Sequence, residues 1–285
     1  MTTGTGHTGH GTTAGAGHLG HGMTSGYAPV HGLRMYYEVR GGGRPLVLLH
    51  GGMHTIELTF GPLVDDLAEN HRVIAVELQG HGHTEDIDRE MTLGNHAADV
   101  AALLGELGVA QADFFGFSLG GMVALELAVT RPELVRRLVL GSVPYRPDGY
   151  HELPPGSDRL PTEAEFRSWE QAYRQVAPDP NHFGELLRRT SAMVSAVEGW
   201  SAEQLRELGS PTLLLLGDHD FVRLPHAVEM LDLIPDARLA VLPGATHTEV
   251  ARRPEQVLSL VGPFLAAGDE GGAARSADLP GPVSP

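Results

Sequence analysis

The sequence predicts an α/β fold, with a mostly parallel sheet between two layers of helices and a helical insertion late in the chain. Three observations predict it. Short apolar runs alternate with longer segments of helical apolar spacing from about residue 33 to residue 265. Several runs are apolar throughout, as expected of strands covered on both faces. Between about 144 and 209 the alternation stops, and two amphipathic helical patterns replace it.

The elements follow in order. Leu33 to Val39 (LRMYYEV) reads as a strand ending at the Gly41-Gly42-Gly43 turn, and Pro45 to His50 (PLVLLH) as a buried strand. Phe60 to Asn70 looks helical, and Arg72 to Leu78 (RVIAVEL) is another buried strand. Thr92 to Leu107 places Leu93, Ala97, Val100, Leu103, Leu104 and Leu107 on one helical face behind a Thr cap. Asp113 to Phe117 is a short strand, Leu119 to Thr130 a helix and Arg137 to Gly141 a strand. After the insertion come Pro211 to Gly217, a helix from about Pro225 to Leu233, the strand Arg238 to Leu242, and a helix from about Thr248 to Leu265. Repeated strand-helix-strand units of this kind give a mostly parallel sheet with helices on both faces.

Within the insertion, Phe166, Trp169, Tyr173 and Val176 share one helical face. Phe183, Leu186, Leu187, Thr190, Met193, Val194 and Val197 share another. The segment is rich in rings, which either pack it onto the sheet or line an apolar pocket. Residues 1–26 are almost all Gly, Thr, His and Ala, and residues 268–285 are rich in Gly, Ala, Ser and Pro. Both read as disordered tails, because ordering them would cost entropy with little burial in return. Met23 offers an alternative start. His7, His10, His18 and His21 have a spacing that could chelate a metal on a helix, but the glycines around them forbid a stable helix, so they read as a solvated tail.

Composition narrows the function. Among 285 residues, 20 basic side chains face 36 acidic ones, for a net charge of −16, and every basic residue is Arg. A phosphate-tracking, nucleic-acid-binding surface is disfavoured. The absence of Cys removes disulfides, thiolate metal sites and Cys nucleophiles. No apolar run approaches the ~20 residues of a membrane span, and the first thirty residues lack a basic n-region. A cytoplasmic location is the expectation.

The most specific chemical signal is Gly116-Phe117-Ser118-Leu119-Gly120-Gly121, between a strand and a helix. A serine on so sharp a turn projects from the carboxyl edge of the sheet at a helix N-terminus, and only small neighbours tolerate the turn. A serine hydroxyl needs a base and a group that orients the base. Leu213 to Gly217 runs into Asp218-His219-Asp220, and Leu242-Pro243-Gly244-Ala245-Thr246 leads to His247. The order Ser118, Asp220, His247 is that of nucleophile, acid and base in one hydrolase architecture. Asp218 is the rival acid; Asp220 is preferred because it lies further past the strand end. The Gly-rich turn His50-Gly51-Gly52-Met53 can bring backbone donors close to an oxyanion, with Gly52 and Leu119 N–H as the natural pair and Met53 in place of Gly52 if the turn is one residue off. His50 itself is expected to hold this loop.

With these residues in view, the chain resembles the α/β-hydrolase-fold serine hydrolases with a helical cap. The resemblance rests on VLLHGG (Val47 to Gly52), ELQGHGHT (Glu77 to Thr84), FFGFSLGGMVALELA (Phe114 to Ala128), LLLLGDHD (Leu213 to Asp220) and LPGATH (Leu242 to His247), and it spans about residues 27–267. It implies an eight-stranded sheet, with core segments 27–143 and 210–267 and a cap at 144–209 inserted after the sixth strand. It also implies Ser118, Asp220 and His247 as a triad, and no metal or organic cofactor. The expected reaction is hydrolysis of a carboxylic ester or lactone through an acyl-enzyme, on a small-molecule substrate that extends to bulky or macrocyclic lactones such as macrolides. Met53, Tyr145, Trp169, Tyr173 and Met193 are the expected substrate-facing side chains.

The same residues bear on other activities of the fold. Dehalogenases and epoxide hydrolases carry Asp where this chain has Ser118, and carbon–carbon bond hydrolases often follow the catalytic His with Trp, where this chain has Thr248. Cofactor-free perhydrolysis, acyl transfer to another acceptor, and a ligand-binding receptor with little turnover stay open as alternatives. The cluster His81-Gly82-His83 with Asp86 departs from a binuclear zinc pattern, because Glu85 and Asp86 stand where Asp and His would be required. It reads as a loop beside the site.

Overall fold

The computed structural model describes residues 17–19 and 22–267. Nine strands form one sheet: β1 (Gly17–Leu19), β2 (Met23–Val30), β3 (Leu33–Arg40), β4 (Arg44–Leu49), β5 (His71–Val76), β6 (Ala112–Phe117), β7 (Val135–Gly141), β8 (Thr212–His219) and β9 (Ala237–Thr246). Their order across the sheet is β1-β2-β3-β5-β4-β6-β7-β8-β9. The pairings β1–β2, β2–β3 and β3–β5 are antiparallel, and every pairing from β5 through β9 is parallel. Strands β2 to β9 are the eight that the resemblance implies, and β1 is a three-residue addition at the edge.

Parallel strands need crossover helices, and these cover both faces. Helices α1 (Ile56–Ala68) and α8 (Pro254–Ala266) bury Phe60, Leu63, Val257, Val261 and Phe264 against one face of the sheet. On the other face, α2 (Leu93–Glu106), α3 (Leu119–Thr130) and α7 (Leu224–Leu233) bury Val100, Leu103, Val123, Leu127 and Met230. The strand residues alternate between these two cores. In β4, Leu46 and Leu48 join the first, whereas Val47 and Leu49 join the second. That division explains the uninterrupted apolar run, because no face of a central strand meets water.

Local signals set several boundaries. Thr92, in extended conformation, accepts the Asn95 N–H at 3.0 Å and caps α2 as the sequence predicts. Thr55 caps α1 in the same way, so that helix begins four residues earlier than its apolar spacing suggested. The expected helix from Thr248 is interrupted: a single 3₁₀ turn, Val250–Arg252, precedes α8, which starts at Pro254. Proline disfavours helical geometry in the residue before it and is well suited to a first helical position.

The low-complexity tail, expected to reach residue 26, is shorter, since β1 and β2 begin at Gly17 and Met23. A two-residue turn joins β2 to β3, with φ of 46° at His31 and 82° at Gly32. Positive φ at both central positions is the hairpin turn whose twist matches its strands. The expected disorder of residues 1–16, 20, 21 and 268–285 lies outside the described residues, as do the tail histidines His7, His10 and His21, whereas His18 falls in β1.

The insertion between β7 and β8 carries α4 (Glu163–Val176), α5 (Phe183–Ser195) and α6 (Ala202–Arg206). Helix α4 opens on a reciprocal capping box between Thr162 and Glu165 and buries Trp169 and Tyr173. Helix α5 buries Phe183, Leu186, Thr190 and Met193, the face its spacing predicted. A polar joint ties the insertion to the core: Asp86 accepts hydrogen bonds from Gln79 Nε2 (2.8 Å) and Arg189 Nη1 (2.5 Å) and pairs with His182 Nε2 (2.8 Å). No helix among the described residues is long and apolar enough to cross a membrane.

Candidate active site

The parallel register brings several strand ends to one edge. Phe117 pairs with Gly141, Gly141 with Leu215, and, after a register shift, His219 with Thr246. The next residue on each strand is Ser118, Ser142, Asp220 or His247. Residues far apart in sequence thus meet at the carboxyl edge, where open parallel sheets bind their ligands.

Ser118 has φ 52° and ψ −117°, a strained conformation for a residue with a Cβ. Its N–H donates to Gly141 O at 2.7 Å, and the helix begins at the next residue. The glycines around it are required by contact. A Cβ on Gly116 would lie 2.4 Å from Gly120 O, and one on Gly120 would lie 2.0 Å from Leu49 O. No side chain fits either gap, so strand, turn and helix close on one another only with glycine there.

His247 bridges the other two predicted side chains. Its Nε2 lies 2.9 Å from Ser118 Oγ and its Nδ1 lies 2.9 Å from Asp220 Oδ1. Phe221 stacks on the imidazole with ring centroids 3.6 Å apart, and Phe117 approaches it at 5.1 Å, which fixes the ring plane. Asp220 is fully buried. Burial, the largest influence, would raise its carboxyl, but His247, the Ser142 hydroxyl and the Val222 N–H together hold it below the usual carboxylate range. Ser142 Oγ donates to Asp220 Oδ2 at 2.5 Å, and Val222 N–H donates to Oδ1 at 3.0 Å. Asp218 turns elsewhere, accepting the Gly244 N–H at 2.6 Å.

The turn after β4 lies against the start of α3. Neither Gly52 N–H nor Leu119 N–H finds an acceptor among the described residues, and Met53 N–H has none either. His50 holds the loop as expected. Leu78 N–H donates to its Nε2 at 3.1 Å, so its proton resides on Nδ1, which donates to Gly51 O at 2.8 Å.

A cavity of about 360 Å³ opens beside Ser118, with the core turn as its floor and α4 and α5 as its roof. Of the side chains expected to face substrate, Met53 and Trp169 line it. Tyr145, Tyr173 and Met193 do not. Tyr145 is fully buried with its hydroxyl on Glu229 (2.6 Å) and its ring stacked on His226, and Tyr173 packs on Phe183. Met193 faces a separate surface cleft beside Trp200. Helical spacing put Tyr173 and Met193 on an inward face, but the inward face of a cap helix meets its neighbours as well as the cavity; Tyr145, in the loop after β7, packs against α7 instead. Sequence reasoning did not single out His54, Met122, Tyr150, Phe166, Val194 and Phe221 as lining residues. Phe221 could have been found, because it follows Asp220 directly; Ser142 had only its position one residue past a strand end.

The remaining His-rich loop is dispersed among separate partners. His83 pairs with Glu77 at 2.9 Å and stacks on Tyr36, and His81 lies on Gln79 O at 2.9 Å. Asp86 serves the joint to the cap.

A strand-turn-helix serine bridged by a histidine to a buried carboxylate, under a helical cap, defines an α/β hydrolase. Residues 46–260 match the alpha/beta hydrolase family, and the chain belongs to it. Among its relatives, 2-hydroxymuconate semialdehyde hydrolase of Pseudomonas sp. (strain CF600) is 30% identical over 267 residues, covering 84% of this chain and 92% of that one. The enol-lactonase of Burkholderia xenovorans LB400 superposes with a TM-score of 0.69 at 23% identity, over 84% of this chain and 99% of that structure. A serine hydrolase involved in carbazole degradation superposes with a TM-score of 0.71 at 23% identity, over 86% and 99%. At that identity the two structures speak to the fold alone.

Proposed function

We propose that this protein is a serine hydrolase that cleaves a neutral carboxylic ester or lactone through an acyl-enzyme. The observation that carries the reading is the pair of 2.9 Å contacts through which His247 links Ser118 to Asp220. His247 Nε2 takes the Ser118 proton as Oγ bonds to the ester carbon, and Asp220 orients the imidazole and stabilises its charged form. The carbonyl electrons move onto oxygen, and the Gly52 and Leu119 N–H groups, unpartnered among the described residues, donate hydrogen bonds to that oxyanion. Collapse breaks the bond to the alcohol oxygen, which leaves with the proton from His247. Water, deprotonated by the same histidine, then releases the acid.

The cavity favours a neutral ester. No carboxylate, Lys or Arg lines it; its ionisable groups are the imidazoles of His54 and His247 and the Tyr150 phenol, so a bound carboxylate would have no permanent counter-ion. The substrate named in the Pseudomonas relative is a carboxylate, and Thr248, whose hydroxyl donates to Glu165 at 2.6 Å, follows the histidine here. Both features favour ester over carbon–carbon cleavage. A volume of about 360 Å³ suits a compact ester. A macrocyclic lactone such as a macrolide would require the cap to lift.

Intact mass after exposure to a fluorophosphonate tests the reading. One adduct on wild type and none on Ser118→Ala is the expected result, with Ser118→Ala losing several orders of magnitude in kcat on any ester turned over. A folded wild type that takes no adduct, or a Ser118→Ala variant keeping more than about a tenth of turnover, would overturn it.

A further inference from the structure

Several polar groups on the cavity residues lack protein partners among the described residues, and three of them belong to the buried side chains of His54, Trp169 and Thr190. Trp169 Nε1 and Thr190 Oγ1 are both buried and unbonded. A threonine inside a helix can satisfy its hydroxyl on a carbonyl one turn back; Thr190, within α5, does not. An indole N–H can only donate.

The third group is on His54, the residue that ends the Gly51-Gly52-Met53 turn. Its Nδ1 lies 3.0 Å from Thr59 Oγ1, and its Nε2 has no protein partner. Proton counting fixes the tautomer. Gly51 N–H already donates to Thr59 Oγ1 at 3.3 Å, so the hydroxyl proton needs an acceptor, and His54 Nδ1 is the acceptor within reach. The ring proton therefore sits on Nε2. Burial, reinforced by Arg252 and His247, lowers His54 to about 3, so the ring stays neutral at working pH.

All three residues line the cavity beside Ser118. The His54 and Trp169 rings meet edge to face with centroids 4.7 Å apart. Thr190 Cγ2 stands 3.3 Å from where a Cβ on Gly52 would project. A buried donor left without a partner is costly unless something satisfies it. We propose that His54 Nε2–H, Trp169 Nε1–H and the Thr190 hydroxyl form a subsite for a second, neutral oxygen of the substrate, a carbonyl, hydroxyl or ether separate from the scissile ester. The inference rests on the ester-hydrolase reading and narrows its substrate class to oxygenated esters and lactones.

The test measures binding without turnover. Calorimetry on Ser118→Ala compares phenyl butanoate with its 3-hydroxy and 3-oxo counterparts, and butyl butanoate with 3-oxobutyl butanoate for the alcohol side. At least one oxygenated ester should bind about tenfold tighter than its plain partner, the scale of one hydrogen bond. Trp169→Phe and His54→Asn, each in the Ser118→Ala background, should erase most of that preference. Asn keeps an acceptor for Thr59 but withdraws the cavity donor. His54→Gln, whose amide reaches the Nε2 position, should keep the preference. Equal affinity within every pair, no binding of any ester, or a preference unmoved by both substitutions would overturn the subsite. Fluorophosphonate labelling of Ser118 reports separately on hydrolysis: a labelled serine with equal affinities retires the subsite alone, and an unlabelled serine with an intact preference retires the hydrolytic reading alone.

Discussion

At the scale of single residues, Asp220 depends on more than its ion pair with His247. One carboxylate oxygen receives Val222 N–H and faces His247, and the other receives the Ser142 hydroxyl. The carboxylate is therefore held both charged and in one orientation. Asp220→Asn should lower kcat about 10⁴-fold by reversing the hydrogen bond that sets the imidazole tautomer. Ser142→Ala should cost less, about 10- to 100-fold, the scale of one hydrogen bond to a charged group. Steady-state kinetics on an ester, with the rate of fluorophosphonate labelling, checks both; a Ser142→Ala enzyme within twofold of wild type would show that the other contacts suffice.

Among the elements, α5 decides how the cap sits, and its polar anchor is Asp86. Burial alone would raise that carboxyl, yet hydrogen bonds from Gln79 and His182 and the charge of Arg189 hold it below the usual range. Arg189 also donates to Ile87 O and Arg89 O, and Arg89 pairs with the fully buried Asp99, so the joint continues into α2. Asp86→Ala leaves Arg189 partly buried without its carboxylate, and unfolding free energy from urea titration should fall by about 3 kcal/mol. The double variant Asp86→Ala/Arg189→Met removes both charges and should recover part of the loss. A double variant as unstable as the sum of the two singles would mean that the pair contributes no coupling.

For the whole molecule, buried histidines govern the response to acid. Burial holds His54 and His96 at about 3 and His81 at about 4, with His50 well below the ordinary imidazole range. In the unfolded chain these rings take up protons near pH ~6.5. Between that value and the folded values the unfolded state binds more protons. Stability is therefore fully present above about pH 6.5 and is lost as pH falls toward 3 to 4, at up to about 1.4 kcal/mol per pH unit for each histidine. Urea midpoints should drop between pH 7 and pH 5, before carboxylates titrate. His96, with both ring nitrogens buried and unpartnered, offers the direct check. His96→Leu should make the slope shallower by about one proton, and an unchanged slope would assign the acid response elsewhere.

The sequence by itself determined the sheet, its two helical layers and the three residues that converge on the site. Its signals were local and strong: central strands such as Leu46 to Leu49 are apolar because both faces are covered, and Gly116 and Gly120 admit no side chain beside Ser118. Strand β2 went unread, because Thr24, Ser25 and Gly26 give a weak alternating pattern; its one local signal is the His31-Gly32 turn. Tertiary structure alone decided which cap side chains reach the cavity. Tyr173 and Trp169 lie on the same buried face of α4, yet one packs on Phe183 and the other on His54, because the packing partner is set by how α4 and α5 cross over the core. It also decided that Ser142 would support Asp220. Those two residues are 78 apart in sequence, and only parallel pairing of β7 with β8 brings them within a hydrogen bond.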